Sequence, residues 1–227
     1  MRNPTAALLV AASIALAADA PREARDRQDR AALERIVAEL EAEAQKRPGD
    51  AGAHYRLAQA ESYVAEVALE QGDKNAARAA AEKGIAAAER AVKLAPGVAE
   101  HHRVLGTLCG QVIPAQVLLA VKYGRCARES IEKAIELDPK SALAWLGRGV
   151  GNYYLPEAFG GGVNKALSDF DKAIALDPKS ADARLWKGIA LRKAGRNAEA
   201  RKEIAKSLEL NPGRLWAKQQ LEKTPAE

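Results

Sequence analysis

Cysteine, histidine, methionine and aromatic side chains are all scarce in this chain. Its 227 residues include two cysteines, three histidines, one methionine and only 4% aromatics. Two cysteines are too few for a disulfide framework or a four-cysteine zinc site. The histidines are His54, His101 and His102. Neighbours on a helix point about 100° apart, so His101 and His102 are badly placed to share one metal. No Cys, Asp or Glu completes a ligand set in sequence, and no metal or cofactor is expected. Gly160-Gly161-Gly162 lacks the Lys-Ser or Lys-Thr that would follow in a phosphate-cradling loop. No serine stands in a nucleophile-elbow context. With these chemistries absent, the chain reads as a non-enzyme. Past residue 20 no apolar run is long enough to cross a bilayer, so no stable membrane insertion is expected. Charge of a single sign is also missing. The formal net charge is +5, but acids and bases interleave, as in Glu132-Lys133 and Arg201-Lys202-Glu203. No basic run is threaded with aromatics, which argues for solvated helix faces and against nucleic acid.

What is present is repetition. Asp138-Pro139-Lys140-Ser141-Ala142 returns as Asp177-Pro178-Lys179-Ser180-Ala181. Amphipathic helical patterns flank both copies. Proline lacks an amide hydrogen and pushes the preceding residue out of the helical region, so one helix stops there. Ser141 and Ser180 can then cap the next helix. Leu94-Ala95-Pro96-Gly97 and Leu210-Asn211-Pro212-Gly213 fit the same slot, and Lys46-Arg47-Pro48-Gly49-Asp50 fits it more loosely. The joint prolines are Pro48, Pro96, Pro139, Pro178 and Pro212, at spacings of 48, 43, 39 and 34 residues. The chain is a stack of helical hairpins.

The last spacing is the tetratricopeptide period, and the residue pattern agrees. Gly188, Ala200 and Ser207 take small positions in the last unit, with Ile204 as the large one between them. Trp145, Gly149, Ala166, Phe170 and Ala173 match in the unit before. Leu105-Gly106, Ala127, Ile131 and Ala134 match in the second. Leu57-Ala58, Gly84, Ala88 and Ala91 match in the first. Small residues let two helices approach, and large ones fill the space beside them. From Asp50 to Arg214 the chain resembles the tetratricopeptide repeat family. That resemblance implies an all-α, right-handed solenoid with capping helices at both ends. At the fourth position, where the family often has an aromatic, stand His54, His102 and Arg184.

The organisation that follows is a signal peptide at 1–20, an N-terminal cap at 21–50, repeats at 51–98, 99–141, 142–180 and 181–214, and a closing helix with a tail at 215–227. Residues 1–20 have a positive start at Arg2 and an apolar run from Ala6 to Ala17. Two cleavage sites compete, after Ala17 and after Ala20. A periplasmic or secreted protein is expected. Arg22 to Arg47 reads as one charged helix with Ala32, Ile36, Val37 and Leu40 on its apolar stripe. In the first repeat the helices run from about Asp50 to Glu70 and from Lys74 to Leu94, with Gln71-Gly72-Asp73 as the turn. In the second, helix A ends before Pro114, a short apolar helix covers Ala115 to Val121, and Tyr123-Gly124 turns into helix B. In the third, Tyr153 to Gly162 forms an aromatic, glycine-rich loop, which folds back on its hairpin or touches a ligand. From Thr224 onward the chain should fray.

Helix A of each unit lines the concave face in this family. Residue by residue, the resemblance assigns a binding groove to Tyr55, Gln59, Tyr63, Arg103, Thr107, Leu146, Val150, Tyr153, Leu185, Ile189 and Arg192. Leu146, Val150 and Tyr153 share one helix face, as do Leu185 and Ile189. That stripe is a binding surface or inter-repeat core; both readings stay open. Cys109 and Cys126 lie on the two helices of one hairpin. They form a disulfide, as export would favour, or stay two small buried hydrophobes. The function expected is a scaffold holding a protein or peptide partner in the cell envelope. The alternative is a periplasmic component that holds an apolar small molecule for a transporter. The 153–162 loop and its flanking helices are loosely similar to the T component of tripartite ATP-independent transporters.

Overall fold

The computed structural model describes residues 20–115 and 118–226. The leader expected at 1–20 therefore lies, up to residue 19, outside the described residues. The elements are helical: α1 (20–26), α2 (Arg30–Lys46), α3 (Ala51–Glu70), α4 (Lys74–Leu94), α5 (Ala99–Val112), a 3-10 turn (Ile113–Ala115), α6 (Leu119–Leu137), α7 (Ala142–Tyr154), a second 3-10 turn (Glu157–Phe159), α8 (Val163–Leu176), α9 (Ala181–Lys193), α10 (Asn197–Leu210) and α11 (Leu215–Glu222). The pairs α3/α4, α5/α6, α7/α8 and α9/α10 are hairpins, stacked in chain order with α2 against α3 and α11 against α10. The fold is an all-α solenoid of paired helices, capped at its termini.

Each joint works through local chemistry. Asp50 accepts from the amides of Gly52 and Ala53, Ser141 from Ala144 and Ser180 from Ala183, satisfying donors that a helix start leaves free. The fourth position of each repeat then bonds back to the joint. His54 Nε2 lies 3.2 Å from Pro48 O and His102 Nε2 lies 2.8 Å from Pro96 O. Trp145 donates to Pro139 O at 3.0 Å and Arg184 to Pro178 O at 3.5 Å. A residue that departs from the aromatic pattern still makes the aromatic's polar contact.

Glycine at the hairpin crossing is a steric requirement. A Cβ on Gly188 would lie 2.5 Å from Ile204 Cγ1 and 2.9 Å from the Ala200 carbonyl; one on Gly106 would lie 2.8 Å from Ile131 Cγ1. Gly149 faces the fully buried Phe170 ring in the same way.

Several local expectations are corrected. The charged helix from Arg22 to Arg47 breaks at 27–29, where Gln28 is left-handed (φ 54°) and Asp29 caps α2. Tyr123-Gly124 is no turn but lies inside α6. A 3-10 turn, Ile113–Ala115, follows α5, and Leu119 to Val121, expected in a short separate helix, open α6. Residues 116–117 lie outside the described residues. In the closing helix Leu215 is 38% exposed, and Ala217 is the buried residue beside Trp216 and Leu221. Thr224 does not fray. It is 2% exposed, its hydroxyl donates to Gln220 O, and its carbonyl accepts from Arg201.

Candidate functional site

Consecutive A helices touch: α3 meets α5, α5 meets α7 and α7 meets α9. The A helices therefore crowd on the inside of the curve, and their inner side is the concave face. The assigned groove residues behave in three ways there. In units one and two, Tyr55 links the repeats, and Arg103 and Thr107 bond within α5. Tyr55 donates to Glu100 at 3.1 Å, Arg103 grips Glu100 through two bonds at 2.6 and 2.8 Å, and Thr107 bonds to the Arg103 carbonyl. Burial and the Glu100 charge push the Tyr55 hydroxyl pKa up. Burial opposes the charge on Arg103, but Glu100 outweighs it and the pKa rises. Gln59 is half-buried.

Leu146, Val150 and Tyr153 pack against a core of Ala166, Leu167, Phe170, Ala190, Leu191 and Ala200. Leu185 and Ile189 are buried at 0% and 5% exposure against Ile204 and Ala217. Arg192 bonds the Gln220 carbonyl and the Thr224 hydroxyl and so holds the C-terminal cap. In this structure the apolar stripe of unit four is core, buried against its own hairpin partner and under α11.

The third behaviour belongs to Tyr63. Its ring carries the guanidinium of Arg25, 5.5 Å from the centroid. Arg25 comes from α1, which lies across the concave face. Arg25 is 2.9 Å from Asp182 at the start of α9 and 3.4 Å from Glu66 in α3. Beside it, Arg214 makes a 2.7 Å ion pair with Glu66 and a short one with Glu70. Asn211 donates to Asp26 at 2.8 Å, and Gln28 donates to Glu70 at 2.8 Å. Residues 185 positions apart thus meet in one buried cluster. Arg214 is 1% exposed, Arg25 5% and Asp26 8%.

The electrostatics follow from burial and charge. Burial works against the Arg25 cation, but Asp182, Glu66 and Asp26 outweigh it and hold its pKa well up. Burial would raise Asp182, yet Arg25 and Arg214 bring it down. Glu70 goes the other way. Burial and the adjacent Glu66 push it up to about 7 against the pull of Arg214. Glu70 is also the last residue of α3, where the helix dipole disfavours an anion.

Two signals in the sequence mark this cluster. The residue before each A helix is a capping Asp50, Ser141 or Ser180 or the apolar, non-capping Val98, but before α11 it is the cation Arg214, which makes no capping bond. The joint acid Asp138 or Asp177 becomes Asn211, whose amide can both accept from Gly213 and donate to Asp26. Local rules broken this way point to a tertiary duty.

Elsewhere, Cys109 and Cys126 are bonded, with Cα atoms 6.0 Å apart. The 153–162 loop closes on itself, Gly162 N donating to Asn152 O at 2.9 Å, while Tyr154 and Phe159 stay 63% and 73% exposed. Among the described residues no group of three or more His, Cys, Asp or Glu is placed to hold a metal. No helix among them is long and apolar enough to cross a membrane.

Residues 17–159 match the family model described as regulator of microtubule dynamics protein 1-3. Residues 159–214 match a tetratricopeptide repeat model. No curated protein matches the chain. Among solved structures, TTC0263, a thermophilic tetratricopeptide protein of Thermus thermophilus, superposes with a TM-score of 0.66 at 21% identity, over 85% of this chain and 90% of that one. The HusA haemophore of Porphyromonas gingivalis gives 0.57 at 19% identity, over 76% and 93%. At these identities the likeness concerns the fold alone.

Proposed function

The chain belongs to the family of regulator of microtubule dynamics protein 1-3, and from that premise we propose that it is a non-catalytic, exported tetratricopeptide scaffold that holds a protein or peptide partner on its concave face. The observation that carries this reading is that the face already holds polypeptide. Helix α1 lies on it, with Arg25 against Tyr63 and Asp182. The family name speaks of microtubule dynamics. For this chain the leader-like residues 1–20 and the Cys109–Cys126 bond support an oxidising compartment, because such bonds are rare in the reducing cytosol. The partner is accordingly a protein of the cell envelope.

The alternative, a component holding an apolar small molecule for a transporter, finds less support. The hollow of about 270 Å³ beside the disulfide is rimmed by Glu82, Glu89 and Lys122, which suits an apolar guest poorly. The loop similar to the transporter T component bonds back on its own hairpin.

Photo-crosslinking in cells tests the proposal. A photoreactive residue at Gln59, on the A-helix face, should capture an envelope protein, while one at Arg125 on α6 should not. Capture from Arg125 alone would move the interface to the outer face and sink the proposal. Sequencing the N-terminus of the native protein tests export: a start at Ala18 or Pro21 is expected, and Met1 retained in a cytoplasmic fraction would refute it.

A further inference from the structure

Helix α1 sits on the concave face as a ligand would. The Arg25 guanidinium has an aromatic face on one side, Tyr63, and carboxylates from two distant helices on the others, Glu66 and Asp182. A planar cation over a ring and between carboxylates is the geometry that selects arginine over lysine. The neighbours are equally specific. Ala24 is 1% exposed, so only a small residue fits before the arginine. Asp26 follows; its Oδ1 accepts from Arg25 itself at 2.6 and 2.9 Å, and its Oδ2 receives the Asn211 amide. The fit is nonetheless incomplete. Arg214 Nε is buried without a hydrogen-bond acceptor, and the carboxylates of Asp26 and Asp182 stop at 3.7 and 3.8 Å from it. Helix α1 is tethered to α2 through only residues 27–29, with Gln28 left-handed. A segment without that tether could bring its aspartate onto the vacant donor.

We infer that the surface under α1 recognises a partner segment with a small residue, an arginine and an aspartate in succession, and that α1 occupies the site in cis until such a segment displaces it. This rests on the scaffold reading and adds the ligand's chemistry to it. Arginine fills the Tyr63–Glu66–Asp182 pocket, and the aspartate bridges Asn211 and Arg214. Tethering gives α1 an effective concentration in the millimolar range, so the closed form prevails until a tighter segment arrives.

The test uses the full chain and a fluorescent synthetic peptide of residues 20–29, followed by anisotropy. The Arg25→Ala chain should bind the peptide at least ten-fold more tightly than the unaltered chain, whose own α1 competes. The same peptide carrying Arg25→Ala should not bind, and Asp182→Asn added to the Arg25→Ala chain should weaken binding at least ten-fold. If Arg25→Ala lowers the helical circular-dichroism signal, Arg25→Lys replaces it, keeping the charge and losing the fork. No binding to a folded Arg25→Ala or Arg25→Lys chain overturns the inference, and so does equal binding of the peptide without arginine. A dimer of the unaltered chain in light scattering that Arg25→Ala abolishes would assign the site to a second copy and overturn the partner assignment. Crosslinks from Gln59 that persist unchanged in the Arg25→Ala chain would leave the scaffold reading standing and remove this one.

Discussion

His54, His102, Trp145 and Arg184 reach the joint carbonyl six residues back although their chemistries differ. What the position requires is a donor of the right reach. Where no side chain is tolerated at all, the crossing glycines show the opposite constraint. Gly188→Ala improves intrinsic helix propensity by about 1 kcal/mol but drives a methyl into Ile204 and a backbone carbonyl. Overpacking of that kind costs about 1–3 kcal/mol, so a net loss in urea unfolding is expected; a gain would show that α9 and α10 part freely. Glu61 makes a second residue-scale case. It is 6% exposed, and burial first, with a contribution from Glu41, pushes its carboxyl up to about 7 despite Lys83. A raised carboxyl pKa favours the folded state below the unfolded value near 4.5, and that contribution is lost as pH rises through 7. Glu61→Gln should therefore flatten the decline in stability between pH 4.5 and 7. At pH 8 it should stabilise the chain by on the order of 2 kcal/mol. An unchanged pH profile would mean that Glu61 finds water in the native state.

Among elements, the α5/α6 hairpin holds the only disulfide among the described residues. Cys109 and Cys126 are 17 residues apart, and closing a loop of that size constrains the unfolded chain by about 3 kcal/mol. Replacing both by serine should lower stability by about that amount. Thiol counting on unreduced, denatured protein should find none free, and two free thiols would rule the bond out. The long first hairpin has a positional role. Its 20-residue α3 spans about 30 Å at 1.5 Å per residue, about ten more than the 13-residue α9. Those extra turns carry Glu66 and Glu70 to Arg214. The added length lets the first repeat touch the last.

At the scale of the molecule, that contact turns an open stack into one whose ends are joined. Arg214 is the central cation of the joint. Removing it would leave Glu66 with only Arg25 at 3.4 Å and Glu70 with only the neutral Gln28 amide, and breaking a buried pair costs about 3–5 kcal/mol. Arg214→Ala should lower the melting temperature by many degrees. Small-angle scattering at a temperature where the chain stays helical should show a larger radius of gyration as the ends separate. An unchanged radius would mean that repeat stacking alone sets the curvature.

The sequence determined by itself what depends on neighbours along the chain. Prolines 48, 96, 139, 178 and 212 set the hairpin joints, Asp50, Ser141 and Ser180 set helix starts, and the small positions Gly106, Gly149 and Gly188 set the crossings. These are local or near-local constraints, so the solenoid was legible. The break at Gln28 was not, because a helical pattern runs through it and the bonds Gln28 makes to distant Glu70, Gln71 and Gln219 help hold the left-handed turn. Nor did periodicity separate groove from core. Leu185 and Ile189 repeat the spacing of Leu146 and Val150, yet α11 covers the first pair completely. Only the tertiary structure decided what lies on the concave face. Curvature accumulates over four hairpins, and Arg25, Glu66, Asp182 and Arg214 become neighbours only when it has done so.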